Sequence, residues 1–485
     1  MTFSFPGPGV LARLVITALF APAFTVGGAL GAQRSPRSSP VTAFVDASVV
    51  TMRDPRILAG QTVIVRDGRI AAMGPAARVR VPKGAVRIDA RGKYLMPGLA
   101  EMHAHIPGPD APDALVQDLM FLYVANGVTT IRGMLGAPNQ LRLREQTRTG
   151  TVLGPTIFVG APSLNGTSAP TPDSATRLVR AHKSAGYDFL KLHPGLRRDV
   201  YDAIVAAARE AHITFAGHIS EQVGLEHTLA SGQSTIDHLD GYVEASAADS
   251  VQKRRTAGTP IALGELVGAF DETRARRWAG MTRDAGVWNV PTIHIWERLF
   301  APEDPEPLAR RDEMKYVPRA MVAGWVRQKT SRLQQDREGG VTPEAARRYL
   351  AVRRTVLKAL ADSGAPLLLG TDSPQVFSVP GFSLHREIAV LAESGLTPWQ
   401  ILTMGTSNVA HYAKGDLKLD GDFGTVMPGN RADFLLLDAN PLSNAANVAR
   451  RAGVMVRGRW LPEREIQTRL ASIAARQAAN EVPAR

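Results

Sequence analysis

The stretch Leu95-Met96-Pro97-Gly98-Leu99-Ala100-Glu101-Met102-His103-Ala104-His105 divides the chain into two rhythms. It ends in two histidines with one residue between them. On a β-strand, residues i and i+2 point to the same face, so both imidazoles can converge on one ion. Upstream, from Ser35 to about Met96, short runs alternate in a β manner: Ala43–Val45, Thr62–Arg66, Arg69–Met73 and Ala85–Asp89. Turn signals at Arg66-Asp67-Gly68 and Pro82-Lys83-Gly84 separate them, which predicts a small antiparallel β unit over residues 35–96.

Downstream, apolar runs alternate with longer helical patterns, the mark of βαβ units around a parallel sheet. The candidate strands are Gly98–His105, Val128–Gly133, Thr156–Gly160, Asp188–His193, Ile213–His218, Ser234–His238, Val290–Ile295 and Pro366–Asp372. Helical patterns fill the gaps, as in Val200–Ala211, where Tyr201, Ile204, Val205 and Ala208 share a face. Eight such units fit an α/β chain folded as a (β/α)8 TIM barrel over residues 97–415, although the periodicity alone also fits a doubly wound sheet. A charge-rich helical insertion, about residues 296–365, separates the seventh and eighth strands. It reads equally as a lid or as a solvated excursion.

The β rhythm returns over residues 416–485, at Gly424–Gly429, Ala432–Asp438 and Gly453–Arg459, before a helix from Pro462 to about Ala479. The simplest arrangement has both chain ends completing one β-sandwich.

Composition narrows the chemistry. The 485 residues contain no cysteine, so disulfide scaffolds, thiolate metal sites and cysteine nucleophiles are excluded, and any metal must be held by His and carboxylate. The net charge of +12 comes from scattered, mostly Arg residues with no nucleic-acid-binding motif, which reads as a solvated basic surface. Residues 1–32 read as an export signal: Arg13 precedes the apolar Leu14–Val26, and small residues follow up to Ala32. That predicts a periplasmic or extracellular protein, and no later apolar run is long enough to cross a bilayer.

Set on the strand list, the chemically able residues cluster. His103 and His105 end the first strand, Lys191 lies on the fourth, His218 ends the fifth, His238 the sixth and Asp372 the eighth. In a barrel all six face one mouth, at the C-terminal ends of the strands. Histidine nitrogens and carboxylate oxygens suit Zn²⁺ and similar ions. A lysine ammonium among them would repel the ions, unless carbon dioxide carboxylates the amine to a carbamate that bridges two metals.

These residues carry a resemblance. The chain resembles the amidohydrolase superfamily, and within it the binuclear, carboxylated-lysine, prolidase-like and dipeptidase-like members. The similarity starts at Leu95–His105 and runs through Gly127–Thr130, Asp188–Lys191, Ala216–His218, Ile236–His238 and Leu369–Asp372. It ends in Gly424–Gly429 and Ala432–Phe434. The resemblance implies two divalent ions, zinc first. His103, His105 and Asp372 would hold the more buried ion, His218 and His238 the second, and carboxylated Lys191 would bridge them.

It further implies amide hydrolysis of a dipeptide or N-acyl amino acid, with Asp372 moving the proton. The open alternatives are a lactone, cyclic amide or ester hydrolase with the same centre, and a non-catalytic scaffold that the full ligand set opposes. Two groups compete to polarise the carbonyl: His294, ending the seventh strand, and Tyr242, four residues after His238. His193, Arg132 and His385 are candidate substrate contacts, each weighed against packing or an ordinary salt bridge. His182, His212, His227 and His411 read as structural or exposed. The expected partner is a small-molecule substrate, with no nucleic acid and no stable membrane span; a homo-oligomer is left open.

Two departures from the family pattern leave substrate identity open. Arg132 is followed by Gly133 where many prolidase-like relatives have Asp, and Lys191 runs into His193-Pro194-Gly195 rather than a longer glycine-rich loop.

Overall fold

A computed structural model describes residues 41–479. The proposed export signal, residues 1–32, lies outside the described residues. The N-terminal strands are β1 (Thr42–Val50), β2 (Ile57–Arg66), β3 (Arg69–Pro75), β4 (Val86–Asp89) and β5 (Tyr94–Pro97). Seven strands follow: β6 (Leu99–Ala104), β7 (Val128–Gly133), β8 (Thr156–Val159), β9 (Phe189–Leu192), β10 (Thr214–Gly217), β11 (Thr235–Asp237) and β12 (Trp288–Val290). The chain ends with β13 (Phe434–Leu437), β14 (Arg451–Val456), β15 (Arg459–Pro462) and the helix Glu463–Ala479.

Strands from both ends of the chain share one eight-stranded sheet in the order β15-β14-β13-β5-β1-β2-β3, with β4 also on β1. The seam is the antiparallel pair β13–β5, where Leu435 faces Met96 and Leu436 faces Leu95. Aromatic packing reinforces it: Phe44 meets Phe434 and Trp460 edge-on at 5.7 and 5.2 Å. The expected strand Gly424–Gly429 is instead a loop, because Gly424 and Gly429 take left-handed φ of 71° and 93° and Pro428 has no N–H to donate.

Between these ends the named strands pair in parallel: β6-β7-β8 form one sheet and β9–β12 another. Isolated parallel bridges join them at Gly160–Phe189, Asn289–Leu367 and Ala104–Ser373. An inner apolar cluster draws Ala100, Met102, Phe158, Phe189, Ala216, Val290 and Leu368 together. The alternate residues Ile131, Ile157, Leu190, Leu192 and Phe215 join the larger core beneath the helices. This in-and-out alternation is the period of two expected of strands covered on both faces. The helix Arg198–Glu210 buries Tyr201, Ile204, Val205 and Ala208 as its sequence predicts.

Two of the strands expected for the barrel also need correction. Pro366–Asp372 is not a regular strand: Leu368 N–H donates to the Asn289 carbonyl and Asp372 N–H to that of His103, but Asp372 turns left-handed at φ 65°. The strand at Val290–Ile295 stops at Val290, since Pro291 lacks a donor and Thr292 turns at φ 47°. His294 therefore sits in the first turn of the helix Ile293–Phe300, not at a strand end. The insertion is largely helical, with Arg319–Glu338 and Pro343–Ser363 its long members, and the latter packs on the helix Glu272–Ala285. Among the described residues no helix is long and apolar enough to cross a membrane.

Candidate metal centre

His103 on β6 and His105 just beyond it share a face, and both present Nε2 to Asp372 Oδ1, at 3.4 and 2.6 Å. Ligand atoms of these three residues lie within 4.8 Å of one another, close enough to hold one ion. His218 follows β10 and His238 follows β11. Their rings are 4.6 Å apart, and His238 lies 4.4 Å from the His103 ring. Lys191 is on β9, its amine 3.7 Å from Asp237 Oδ2, while His103 Nδ1 is 3.3 Å from the same oxygen. His103, His105 and Asp372 thus form one group able to hold an ion, with His218, His238 and Lys191 close beside it.

The backbone is bent to bring them there. His238 and Asp372 take left-handed φ of 61° and 65°, and Thr292 one of 47°. Such conformations cost a non-glycine residue about 1–3 kcal/mol each and persist where surrounding contacts over-determine them. Here His238 Nδ1 lies 2.7 Å from Thr292 Oγ1, and His218 Nδ1 2.8 Å from Asp240 Oδ2. Each partner fixes a ring and leaves Nε2 as the free ligand atom, the usual arrangement behind a metal-binding histidine.

Several buried atoms in the cluster lack a hydrogen-bond partner: His103 Nδ1, Lys191 Nζ and Asp237 Oδ2. Buried polar groups are rarely left so, and their concentration among ligand-type side chains fits a site made for cations. Burial, then the Lys191 charge, holds His103 well below the usual imidazole range. Burial and the neighbouring His103 do the same for His238. Burial also lowers Lys191 against the pull of Asp237. Neutral imidazoles are the form in which histidine binds a metal.

The other expected contacts separate into two groups. His193 belongs to the cluster, its ring stacked 4.9 Å from His218 and its Nδ1 2.6 Å from Ser163 Oγ. Arg132 is closed off from solvent, donating to the Met102 carbonyl, Thr235 Oγ1, the Tyr412 hydroxyl and Asp237. It is a buried salt bridge, the alternative weighed from sequence, rather than a substrate anchor. The Tyr242 hydroxyl is paired with Thr282 Oγ1 at 2.8 Å, on the helix Glu272–Ala285, so it faces the outer wall rather than the cluster. His385 lies on the helix Phe382–Glu393, with the β14 residue Arg451 among the charges acting on it, and burial lowers its pKa to about 4. His294 is buried among Arg298, Arg311 and Arg386.

Three residues around the centre have no sequence reading. Asp237 joins Arg132 to the Lys191–His103 pair. Glu101, raised by burial to about 8, accepts the N–H groups of His103 and Thr371 at 2.9 and 2.8 Å and so ties β6 to the segment bearing Asp372. Arg353, from the insertion, donates to the His238 carbonyl and lies 3.9 Å above the Trp296 ring. Asp237 and Glu101 were findable as charges within apolar strands; Arg353, one arginine in an Arg-rich helix, carries no such signal.

Residues 94–461 match the profile described as the amidohydrolase family. An adenine deaminase of Mesorhizobium japonicum is 22% identical over 404 residues, covering 80% of this chain and 52% of that protein. The chain thus spans about half the length of that curated relative. An imidazolonepropionase of Rubrobacter xylanophilus is 23% identical, covering 78% of this chain and 84% of its own. Among solved structures, a bottromycin amidohydrolase superposes with a TM-score of 0.68 at 23% identity, covering 93% of this chain and 92% of the other. That likeness supports the fold.

Proposed function

The chain belongs to the amidohydrolase family, and on that premise we propose that it is a metal-dependent hydrolase cleaving the C–N bond of a dipeptide or N-acyl amino acid. The observation that carries the reading is the convergence of His103, His105 and Asp372 ligand atoms within 4.8 Å of one another, with His218, His238 and the buried Lys191 amine beside them. The relatives named adenine deaminase and imidazolonepropionase support C–N chemistry in general. The second name keeps a cyclic amide substrate as the alternative.

His103, His105 and Asp372 would hold one ion, His218 and His238 another, with Lys191 between them; an all-nitrogen-and-oxygen donor set favours zinc. When bound, divalent ions supply Lewis-acid activation of water and of the scissile carbonyl. The protein's own part is proton traffic and positioning. Asp372 takes a proton from the attacking water and delivers it to the departing nitrogen as the C–O bond forms and the C–N bond breaks. Gln375 Nε2 donates to Asp372 Oδ1 and orients that carboxylate. Burial lowers Lys191, which favours loss of its proton; the amine would then add to carbon dioxide to give a carbamate, releasing one further proton to solvent.

We read the two parallel sheets and their bridges as one (β/α)8 ring with the centre at its C-terminal mouth. The export reading of residues 1–32 and the open question of homo-oligomers stand as proposals beside it. The test is a panel of dipeptides, N-acyl amino acids, cyclic amides and lactones offered to protein reconstituted with zinc and bicarbonate. Turnover of the linear amides, abolished by a chelator, is expected. Zinc-loaded protein that turns over none of the panel would sink the proposal.

A further inference from the structure

The four-residue turn Asp237–Asp240, at the end of β11, serves both histidines assigned to the second ion. His238 is a member of it, and Asp240 Oδ2 fixes His218 Nδ1 at 2.8 Å. Its backbone is unfavourable: His238 and Leu239 take consecutive left-handed φ of 61° and 53°, and neither is glycine. Such a conformation persists only where contacts over-determine it. Three hold His238. Its N–H donates to the Val290 carbonyl at 2.8 Å, its Nδ1 lies 2.7 Å from Thr292 Oγ1, and its carbonyl accepts from Arg353 Nη2. The third acts on the peptide group that joins the two left-handed residues.

Arg353 comes from the insertion, on the helix Pro343–Ser363, and is 2% exposed. That helix buries Val352, Val356, Leu357 and Leu360 and packs on the helices Glu272–Ala285 and Ile293–Phe300. The guanidinium lies 3.9 Å above the Trp296 ring, Nη1 is 3.2 Å from the Tyr349 hydroxyl, and Nε is buried without a partner. The Trp296 ring is itself stacked on Phe300 at 4.6 Å, so the platform under the charge is fixed. Burying a charge is costly, and a carboxylate usually answers it. Arg353 instead meets two rings, a hydroxyl and a backbone carbonyl. Leucine or methionine would serve packing at this place. What the charge adds is a charge-assisted hydrogen bond to the His238 carbonyl.

We propose that Arg353 is a positioning residue for the second ion: it pins the His238–Leu239 peptide in its left-handed form and thereby keeps His238 and, through Asp240, His218 in place. The inference rests on the two-ion reading and deepens it. The first group of ligands does not depend on Arg353. Asp372 N–H donates to the His103 carbonyl at 2.8 Å, and Asp237, the first residue of the turn, is held separately by Arg132 at 3.0 Å. Loss of Arg353 should therefore divide the two ions, weakening one and sparing the other. The helix Pro343–Ser363 is in this account a fixed wall of the centre and not a lid, since lifting it would break the hold on His238.

The experiment titrates metal-free protein with zinc in competition with a chromophoric chelator, so that two dissociation constants are read without any substrate. Arg353→Met, which keeps apolar bulk over Trp296, is compared with the wild type. The variant should bind the first ion nearly as the wild type does and the second about ten- to a hundredfold more weakly, the range for one lost hydrogen bond to a charged group. Arg353→Lys, which keeps a charged donor, should recover part of that loss. Unchanged affinities for both ions in the Met variant, or an equal loss in both, would overturn the assignment, the latter because it marks a general loosening of the fold. A wild type that binds fewer than two ions fails the two-ion reading before any variant is made, and the inference falls with it. If circular dichroism finds the Met variant unfolded, Arg353→Gln, which keeps a donor but loses the charge and the reach, is judged by the same two constants.

Discussion

Arg132 Nη2 donates to Asp237 Oδ1 across 3.0 Å, and neither side chain reaches solvent. Arg132 is thus the fixed countercharge under the metal centre, since the other oxygen of the same carboxylate faces Lys191 and His103. Arg132→Met would strand a buried carboxylate, which typically costs about 3–5 kcal/mol. Denaturant unfolding of the metal-free variant should register that loss, and a change under 1 kcal/mol would show that the pair is not holding the charge.

The proximity of His103, Lys191, His218 and His238 was legible because each lies on, or just beyond, a short buried parallel strand. What the sequence hid depends on turns and distant partners. Thr292 in a left-handed conformation moves His294 from a strand end into a helix, toward three arginines rather than the centre. Tyr242 falls at a suggestive spacing, yet Thr282, forty positions on, captures its hydroxyl. Arg132 could be read from sequence as a substrate contact or an ordinary salt bridge, and only its four partners from three other parts of the chain decide for the latter. The eighth strand was expected at Pro366–Asp372, but Pro366 and the left-handed turn at Asp372 leave it only bridges.

The neutral histidines make stability pH-dependent in the metal-free protein. His103 and His238 are held below the ordinary 6.5 when folded, so the unfolded chain takes up protons first. Their contribution is full above about pH 6.5 and is lost as the pH falls below it, by about 1.4 kcal/mol per histidine per pH unit. Urea unfolding of chelated protein at pH 7.5 and 5.5 should give a clearly lower stability at the acid end. A flat profile would contradict neutral burial of both rings.

Metal content tests the first pair of ligands. Protein purified with zinc should carry close to two ions per chain, and His103→Ala combined with His105→Ala should lower that number, read by elemental analysis. Both rings offer Nε2 to the same Asp372 oxygen, so their joint removal leaves that ion without most of its donors. Wild-type metal content in the double variant would sink the assignment.

Lys191→Ala removes the group proposed to lie between two ions while leaving the histidines in place. Most metal and activity should go with it, because Lys191 is the bridging member expected of the set. Short carboxylic acids added to the variant should restore part of the turnover by standing where the carbamate would. Full activity without any added acid would show that Lys191 bridges nothing.

Asp372 separates holding metal from moving protons. As a ligand it is one of several donors, and His103, His105 and the Lys191 bridge should keep the ion when it is altered. As a proton carrier it has no replacement: asparagine keeps the shape but cannot accept a proton from water. Gln375 and His105 both contact Oδ1 of the carboxylate, so the side chain is held for one task rather than free to swing. General acid–base help is typically worth about 10²–10⁴-fold in rate. Asp372→Asn is therefore expected to retain most of its zinc while losing turnover by about that factor. Metal content and turnover are measured on the same preparation, with Asp372→Glu alongside, which keeps the carboxylate and should recover part of the rate. Near wild-type turnover in a metal-loaded Asn variant would remove Asp372 from the proton path, and the proton would then have to pass through another group of the cluster, with His193 the first to be tested.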